Sequence, residues 1–296
     1  MFTLAHLSDP HLAPLPQPSW LDLIGKRVTG YINWQRKRRF IHDPAVLAAL
    51  VDDLKRQAPD HIAVTGDIAN IALPAEFRRG REWLETLGSS RDVSFVPGNH
   101  DIYVAEAGAF AQRQWGAYMA DDEGAGGFPY LRRRGKVALI GVNSGAPTAP
   151  LLATGWIGTK QLAELSALLT MLKDEDVFRV VMIHHPPVSR AARHKRLLDA
   201  PVLLKVLKAH GAELVLHGHD HVHMVNWLAG PNGTRVPAVG VPSASARPGM
   251  DKDAAAYHLY TIDGERGAWR VELIARAVTL EGNVVETKRM MLTGDE

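Results

Sequence analysis

The chain has 296 residues and a net charge of +2, so it can bury a large core and shows no overall signal for binding a polyanion. It has no cysteine, which excludes disulfides and thiolate ligands, and its 14 histidines favour imidazole and carboxylate ligands for any bound metal. No apolar run is long enough to span a bilayer and no signal peptide is recognisable, so we expect a cytoplasmic protein.

The first half of the chain alternates predicted strands with predicted helices. Asp43 followed by Pro44 is a favourable helix start, because Asp caps free amide groups and Pro fits the first turn. Apolar residues at helical spacing continue from there until Pro59 ends the pattern. The same reasoning predicts strands at residues 2–8, 61–65 and 93–96, and further helices at residues 75–87 and 104–120.

The second half begins in the same way and then becomes rich in strands. A Pro-Asn-Gly turn at Pro231 to Gly233 predicts a hairpin. Alternating strands and helices followed by strands favour one α/β domain over residues 1–296, with two packed sheets and helices outside. The predicted helices are residues 159–172 and 201–210, and the predicted strands are residues 137–142, 178–183, 213–216, 222–228, 235–241, 257–262, 269–277 and 284–292.

Residues 14–42, here called the insertion, interrupt this alternation. The insertion interleaves aromatic residues with six cations against a single acid, Asp22; the cations are Lys26, Arg27, Arg36, Lys37, Arg38 and Arg39. A charge run of this kind is usually a solvated face, with the apolar residues packed on the body. The alternative is a flap that contacts an anionic membrane surface or an anionic substrate. The sequence leaves both interpretations open.

Five predicted strands each lead into Asp, Asn or His residues. Ligands of open α/β sheets bind at the carboxyl ends of the strands, so we expect one site there. Hydrolysis with two metal ions needs a shared carboxylate and further nitrogen and oxygen ligands, and this mixture suits Mn, Fe or Zn better than Ca or Mg. The residues that follow the five strands are Asp9 and His11, Asp67, Asn99 with His100 and Asp101, His184 with His185, and His219 with His221.

In their order and form, these blocks resemble the calcineurin-like metallophosphoesterase superfamily over roughly residues 1–225. The resemblance implies a four-layer α-β-β-α sandwich of two mixed sheets with a β-rich carboxyl-terminal part. The chain is most similar to the branch that holds class III cyclic-nucleotide phosphodiesterases and bacterial glycerophosphodiesterases, in the segments Gly66-Asp67-Ile68-Ala69-Asn70 and His184-His185-Pro186-Pro187.

The resemblance also implies a ligand set for two divalent transition-metal ions, with Asp67 bridging them. His184 has an alternative in its neighbour His185, because a shift of one residue would exchange the two side chains. The nucleophile would be a metal-bound hydroxide. The first ion would be bound by Asp9, His11 and His221, and the second by Asn99, His184 and His219.

Three further residues receive roles from the resemblance without binding metal. His100 would orient the phosphoryl group or protonate the leaving oxygen, and Asp101 would orient His100 from behind. Asn70 would either contact a phosphate oxygen of the substrate or simply stabilise a turn.

The leading interpretation is a phosphodiesterase for a small phosphoester, such as a cyclic nucleotide or a glycerophosphodiester. One alternative is a hydrolase of a lipid-linked phosphoester or pyrophosphate, which the insertion would hold at the inner membrane face. Another is a non-catalytic scaffold, although the intact set of site residues, including His100, favours an enzyme. No nucleic-acid partner is expected, because no extended basic stripe runs through the chain.

Overall fold

The computed structural model describes residues 1–292, and its central strands are buried on both faces. In β6 (Phe178–Met182), the side chains of Phe178, Val180 and Met182 pack in the core that both sheets share. Val181 packs instead with leucines of α6 (Thr159–Leu172). Because successive side chains of a strand point to opposite faces, each sheet has the other sheet on one side and helices on the other. This confirms the predicted four-layer sandwich.

The first sheet has the strand order β12-β11-β10-β1-β2-β3. Strands β1, β2 and β3 run parallel, whereas β10, β11 and β12 pair in antiparallel fashion beside β1. The carboxyl ends of the three parallel strands therefore lie at one edge. The bounds are β1 (Phe2–Leu7), β2 (His61–Val64), β3 (Val93–Phe95), β10 (Ala256–Asp263), β11 (Arg270–Val278) and β12 (Val284–Met291).

The second sheet has the order β4-β5-β6-β7-β9-β8, with β5, β6, β7 and β9 parallel and β4 and β8 antiparallel at its edges. Both sheets are therefore mixed. The remaining bounds are β4 (Tyr130–Arg134), β5 (Val137–Gly141), β7 (Leu214–His217), β8 (Met224–Ala229) and β9 (Arg235–Gly240).

Strand β4 is not among the predicted elements, because three successive arginines interrupt its apolar character. In the structure the Arg132 guanidinium is buried and donates to the carbonyl oxygens of Ala120, Ala117 and Val93 at 2.6, 2.7 and 2.7 Å. These long-range acceptors compensate for burying the charge.

Helices cover the outer faces of both sheets. The Asp43 side chain accepts a hydrogen bond from the amide of Ala45 at 2.8 Å, so α3 begins where predicted. Helix α5 is shorter than the predicted helix at residues 104–120, because the chain tightens into a 3₁₀ turn at Gly116–Met119. Nowhere in residues 1–292 does a helix have the length and apolarity needed to cross a bilayer. The bounds are α3 (Pro44–Arg56), α4 (Pro74–Leu87), α5 (Ala107–Trp115) and α7 (Ala200–His210).

The insertion is helical over residues 26–41 and is held on the body along one face. Arg27 donates to the carbonyl oxygens of Ile71 and Ala72 at 3.2 and 2.9 Å. A Cβ atom at Gly30 would lie 2.6 Å from Cγ2 of Ile71, so only glycine allows this close approach. Packing therefore accounts for the inner face, whereas Trp20 is 76% exposed. The elements are α1 (Lys26–Asn33), a π turn at Trp34–Arg38 and α2 (Arg39–Ile41).

Asp53 joins α3 to the antiparallel part of the first sheet. Its carboxylate accepts hydrogen bonds from Arg276 at 2.6 and 3.0 Å and from the Tyr257 hydroxyl at 2.8 Å. Burial raises the pKa of Asp53, but these hydrogen bonds outweigh it and hold the pKa below its usual value. The carboxylate therefore stabilises the fold above the pKa it has in the unfolded chain, and this stability is lost as the pH falls through the lowered pKa.

Asp53→Asn is expected to lower the free energy of unfolding by about 1.5–3 kcal/mol at pH 7, the range for a hydrogen bond to a charged group. The difference from wild type should shrink on acidification, which urea unfolding at pH 7 and near pH 3 would measure. The matched control is Asp52→Asn, which changes an exposed carboxylate on the same helix. An equal loss at both pH values would contradict this account.

Candidate metal centre

The two sheets bring their candidate residues together at one end of the sandwich. The amide of Asp9, after β1, donates to the Gly66 carbonyl at 2.9 Å, and the amide of His11 donates to the Asp67 carbonyl at 3.0 Å. The amide of His219, after β7 of the other sheet, donates to the Asp9 carboxylate at 2.9 Å. Loops from both sheets are therefore joined directly at the site.

The first group of donors consists of Asp9, His11 and His221, whose ligand atoms lie within 4.8 Å of one another. His221 Nε2 is 3.0 Å from Asp9 Oδ1, and His11 Nε2 is 3.8 Å from the same oxygen. His11 Nε2 is buried and has no hydrogen-bond partner within residues 1–292. A buried nitrogen of this kind, facing a carboxylate, is what a metal ligand requires.

The second group is built around His184. Its Nε2 atom lies 3.3 Å from Asp67 Oδ2, 3.3 Å from Asn99 Oδ1 and 3.2 Å from His219 Nδ1. Asp67 Oδ2 is also 3.9 Å from His11 Nε2. Asp67 therefore lies between the two groups, where a carboxylate shared by two ions would be needed.

Backbone carbonyls hold the outer nitrogens of three candidate imidazoles. His11 Nδ1 is 3.2 Å from the Ala69 oxygen, and His184 Nδ1 is 2.6 Å from the Thr65 oxygen. His219 Nε2 is 2.7 Å from the Lys195 oxygen. Since a carbonyl only accepts, each of these nitrogens carries the proton and the other nitrogen presents its lone pair to the centre. Metal-binding histidines are typically oriented in this way, so the donor set fits a metal centre.

The charges of the donors suit a cation. Burial raises the pKa of Asp67, but His184 and His100 outweigh it and bring the pKa to about 2, so the carboxylate is ionised. Burial and the nearby Arg38 hold the pKa of His11 well below its usual value, so its imidazole is neutral. His184 is the exception, because Asp67 outweighs burial and raises its pKa to about 10. An ion must displace that proton, as metal binding generally does.

The backbone at the site is strained. Within residues 1–292, five of the nine non-glycine residues with positive φ belong to the candidate ligands. Such conformations cost about 1–3 kcal/mol each and cluster at functional sites. Glycine relieves crowding beside them, since a Cβ at Gly98 would overlap the Asp67 carboxylate. The five residues are Asp9 (52°), His11 (38°), Asp67 (58°), His219 (69°) and His221 (57°).

Asp101 was predicted to orient the His100 ring, but its contacts in the structure are with backbone amides. The buried Asp101 carboxylate accepts hydrogen bonds from the amides of Asp67 at 2.7 Å, Ala69 at 2.9 Å and Gly98 at 2.9 Å. These amides belong to the loops after β2 and β3, so Asp101 joins the two loops. Asp101 is therefore a positioning residue for the loop that carries Asp67.

The His100 ring is held by other contacts. Its Nδ1 atom is 2.5 Å from the Asn70 carbonyl oxygen, and the ring stacks on Tyr103 with centroids 5.5 Å apart. The backbone amide of His100 donates to Asp67 Oδ1 at 2.7 Å. Because the carbonyl accepts the Nδ1–H group, Nε2 is the ring nitrogen with a free lone pair, and Arg38 Nη1 lies 3.1 Å from it. Burial and Arg38 lower the pKa of His100 to about 3.

The contacts of Asn70 and His185 bear on the two open alternatives. The Asn70 side chain is buried and donates to the Leu12 carbonyl at 3.1 Å, so it joins two loops. This contact favours the turn-stabilising alternative, and the substrate contact of Asn70 stays a prediction. His185 has both ring nitrogens engaged, with Ser144 Oγ at 2.8 Å and the Ala153 oxygen at 3.3 Å. Although His185 lies near His184 and His219, the geometry favours His184 as the ligand.

Two residues of the insertion enter the site and were missed in the sequence. Arg38 Nη2 is 2.6 Å from His11 Nδ1, and the His42 ring has its centroid 4.5 Å from that of His11. Trp34 stacks parallel to His42, with centroids 6.5 Å apart. Trp34, Arg38 and His42 are spaced four residues apart in the sequence. This spacing is typical of one helix face and is the only sequence signal that could have grouped them.

Comparisons with solved structures support the fold. A dimetal phosphatase from Danio rerio superposes with a TM-score of 0.64 at 15% identity, covering 99% of both chains. A purple acid phosphatase from yellow lupin (Lupinus luteus) gives a TM-score of 0.61 at 12% identity, covering 98% of this chain and 53% of that one. At these identities the likeness shows a shared architecture only.

One curated relative is similar in sequence. It is named a probable cyclic nucleotide phosphodiesterase of Synechococcus sp. and is 28% identical over 178 residues. The match covers 59% of this chain and 62% of the relative, less than two thirds of that protein's length. The sequence profile of the calcineurin-like phosphoesterases matches residues 2–223, and the chain therefore belongs to that family.

Proposed function

We propose that the protein is a binuclear metal-dependent phosphoester hydrolase that acts on a phosphodiester. The observation that carries this proposal is the position of Asp67, between the Asp9 group and the His184 group of donors. The similarity to the Synechococcus protein supports a phosphodiester substrate, with a cyclic nucleotide or a glycerophosphodiester as the first compounds to test.

Each donor group would hold one ion. Asp9, His11 and His221 would hold the first, while Asn99, His184 and His219 would hold the second, with Asp67 shared. Nitrogen and oxygen donors in this mixture suit Mn, Fe or Zn. When bound, two such ions supply Lewis acidity and a nucleophile at neutral pH.

The remaining chemistry belongs to residues beside the donors. His100 donates its Nδ1–H to the Asn70 carbonyl and stacks on Tyr103, and these two contacts hold the ring in one orientation. Once protonated at Nε2, His100 would orient the phosphoryl group or transfer that proton to the leaving oxygen. Asp101 would keep Asp67 in place through the loop amides it binds.

The test is a substrate panel assayed after purification in medium supplemented with Mn, Fe or Zn. The panel contains cyclic nucleotides, glycerophosphodiesters, nucleotide-linked lipids and matching phosphomonoesters, and elemental analysis gives the metal content. We expect up to two ions per chain and preferential hydrolysis of diesters, which would also exclude a scaffold. Protein that holds no Mn, Fe, Zn or Co and stays inactive after reconstitution would refute the proposal.

A second candidate substrate is a lipid-linked phosphoester or pyrophosphate, because the outer face of the insertion combines exposed apolar and basic side chains. Trp20, Leu21 and Ile24 are 76%, 57% and 66% exposed. Lys26 Nζ donates to the Leu152 carbonyl at 3.3 Å, which places this face beside Leu151, itself 82% exposed. Apolar and cationic side chains together suit the interface between water and anionic lipid.

Replacing Arg36, Lys37 and Arg39 by serine tests this second candidate, since all three are exposed whereas Arg38 is buried. A cation near an anionic surface contributes about 1 kcal/mol, so binding to phosphatidylserine vesicles should weaken by roughly 100-fold. Hydrolysis of a small chromogenic diester should not change. The control variant replaces three exposed lysines elsewhere, Lys160, Lys173 and Lys208, by serine. If both variants bound vesicles equally well, the insertion would have no role in membrane binding and would serve only in packing.

A further inference from the structure

Arg38 differs from the cations around it. Arg36, Lys37 and Arg39 are exposed, but Arg38 is only 9% exposed and points into the candidate metal centre. It ends a five-residue π turn that follows α1 directly. Single π turns within helices are rare and occur frequently at functional sites.

The Arg38 guanidinium is buried without a carboxylate. Within residues 1–292, none lies within 4.0 Å of it, whereas buried Arg27 pairs with Glu106 at 3.0 Å and Arg179 with Glu213 at 2.8 Å. Arg132, the remaining buried arginine, is compensated by carbonyl oxygens. A buried charge is costly unless it is paired and hydrogen-bonded, so Arg38 is the exception that needs an explanation.

The groups nearest to Arg38 are poor acceptors. Its Nη2 atom is 2.6 Å from His11 Nδ1, and its Nη1 atom is 3.0 and 3.1 Å from the two nitrogens of His100. The Nδ1 atoms of both rings also face carbonyl oxygens, at Ala69 and Asn70, and so carry their protons. Two N–H groups cannot bond to each other, and one N–H cannot be directed at both nitrogens of one ring. Of the three ring nitrogens that Arg38 contacts, only His100 Nε2 has a free lone pair, so it can accept from one Arg38 N–H group, and the other donors still need oxygen acceptors.

We propose that Arg38 binds the phosphoryl group of the substrate, and that the insertion thereby completes the active site. This inference rests on the proposed function. Arg38 lies between His11, a candidate ligand of the first ion, and His100, so its donors face the space where phosphoryl oxygens would lie. The planar guanidinium fork matches two oxygens of one phosphoryl group, which a lysine cannot do. The ligand chemistry is thus a phosphoryl oxyanion, whether it comes from substrate or from inorganic phosphate.

The test compares Arg38→Met and Arg38→Lys with wild type, and Arg36→Met on the same turn is the matched control. Methionine keeps much of the apolar stem, and removing a buried cation without a carboxylate should not lower the melting temperature of the metal-loaded protein. Inorganic phosphate is the probe, and its affinity for metal-loaded protein is measured by calorimetry. Metal content and the kinetics with a chromogenic diester are measured in parallel.

We expect Arg38→Met to weaken phosphate binding by about 10–100-fold, the effect of losing hydrogen bonds to a charged group. Arg38→Lys should recover only part of this affinity, because the fork is lost. Metal content should stay at the wild-type level, and Arg36→Met should match wild type throughout.

The inference is overturned if Arg38→Met binds phosphate as tightly as wild type, or if it loses metal in proportion to activity. A lower melting temperature with unchanged phosphate affinity would likewise assign Arg38 to packing. Failure of the proposed function looks different, since wild type itself would then hold no metal and hydrolyse no phosphoester.

Discussion

Asp67→Ala is expected to remove both activity and bound metal, with a larger loss than any other single change among the candidate ligands. Asp67 Oδ2 lies 3.3 Å from His184 Nε2 and 3.9 Å from His11 Nε2, so its removal opens both donor groups together. Two bound ions supply several kcal/mol of charge stabilisation in the transition state. Losing them should reduce turnover by about 10³-fold or more.

The measurement pairs elemental analysis with hydrolysis of a chromogenic diester. Asp67→Asn is the matched variant, because an amide oxygen can still accept the hydrogen bond from the His100 amide that Asp67 Oδ1 accepts at 2.7 Å. Circular dichroism of both variants checks that the fold is kept. If Asp67→Ala retained two ions at wild-type affinity, Asp67 could not be the shared ligand.

His100→Ala should separate catalysis from metal binding. The His100 side chain contacts Asn70, Tyr103 and Arg38, and the proposed ligand set does not include it. Metal content should therefore stay at the wild-type level. Turnover should fall by about 10²–10⁴-fold, the range for a positioned group that transfers a proton.

The control for this variant is Tyr103→Phe, which keeps the ring that stacks on His100 and removes only the hydroxyl. It should retain most of the activity. Loss of metal from His100→Ala would show that the division between ligands and catalyst proposed for this site is mistaken.

The sequence predicts those parts of the candidate site that follow from local patterns of apolar and polar residues. Apolar runs that end in Asp, Asn or His identify the strands and the residues after them, and these strands form as predicted. Polar residues after the strands were expected at one site, and the ligand atoms of Asp9, Asp67 and His184 lie within 4.8 Å of one another, although β6 belongs to the other sheet. Strand β4 was not predicted because acceptors distant in sequence stabilise its buried arginine. The end of α5 was not predicted because the chain continues into a 3₁₀ turn.

The amino-acid order alone specifies which side chains reach the carboxyl edges of the sheets, because alternation of apolar residues and the ends of apolar runs are local properties. It does not specify which of four adjacent cations enters the site. The four are Arg36, Lys37, Arg38 and Arg39, which are all cationic. In the folded protein only Arg38, at the end of the π turn, is buried. The role of Asp101 is likewise decided in three dimensions, because the amides it binds belong to loops that meet only in the folded protein.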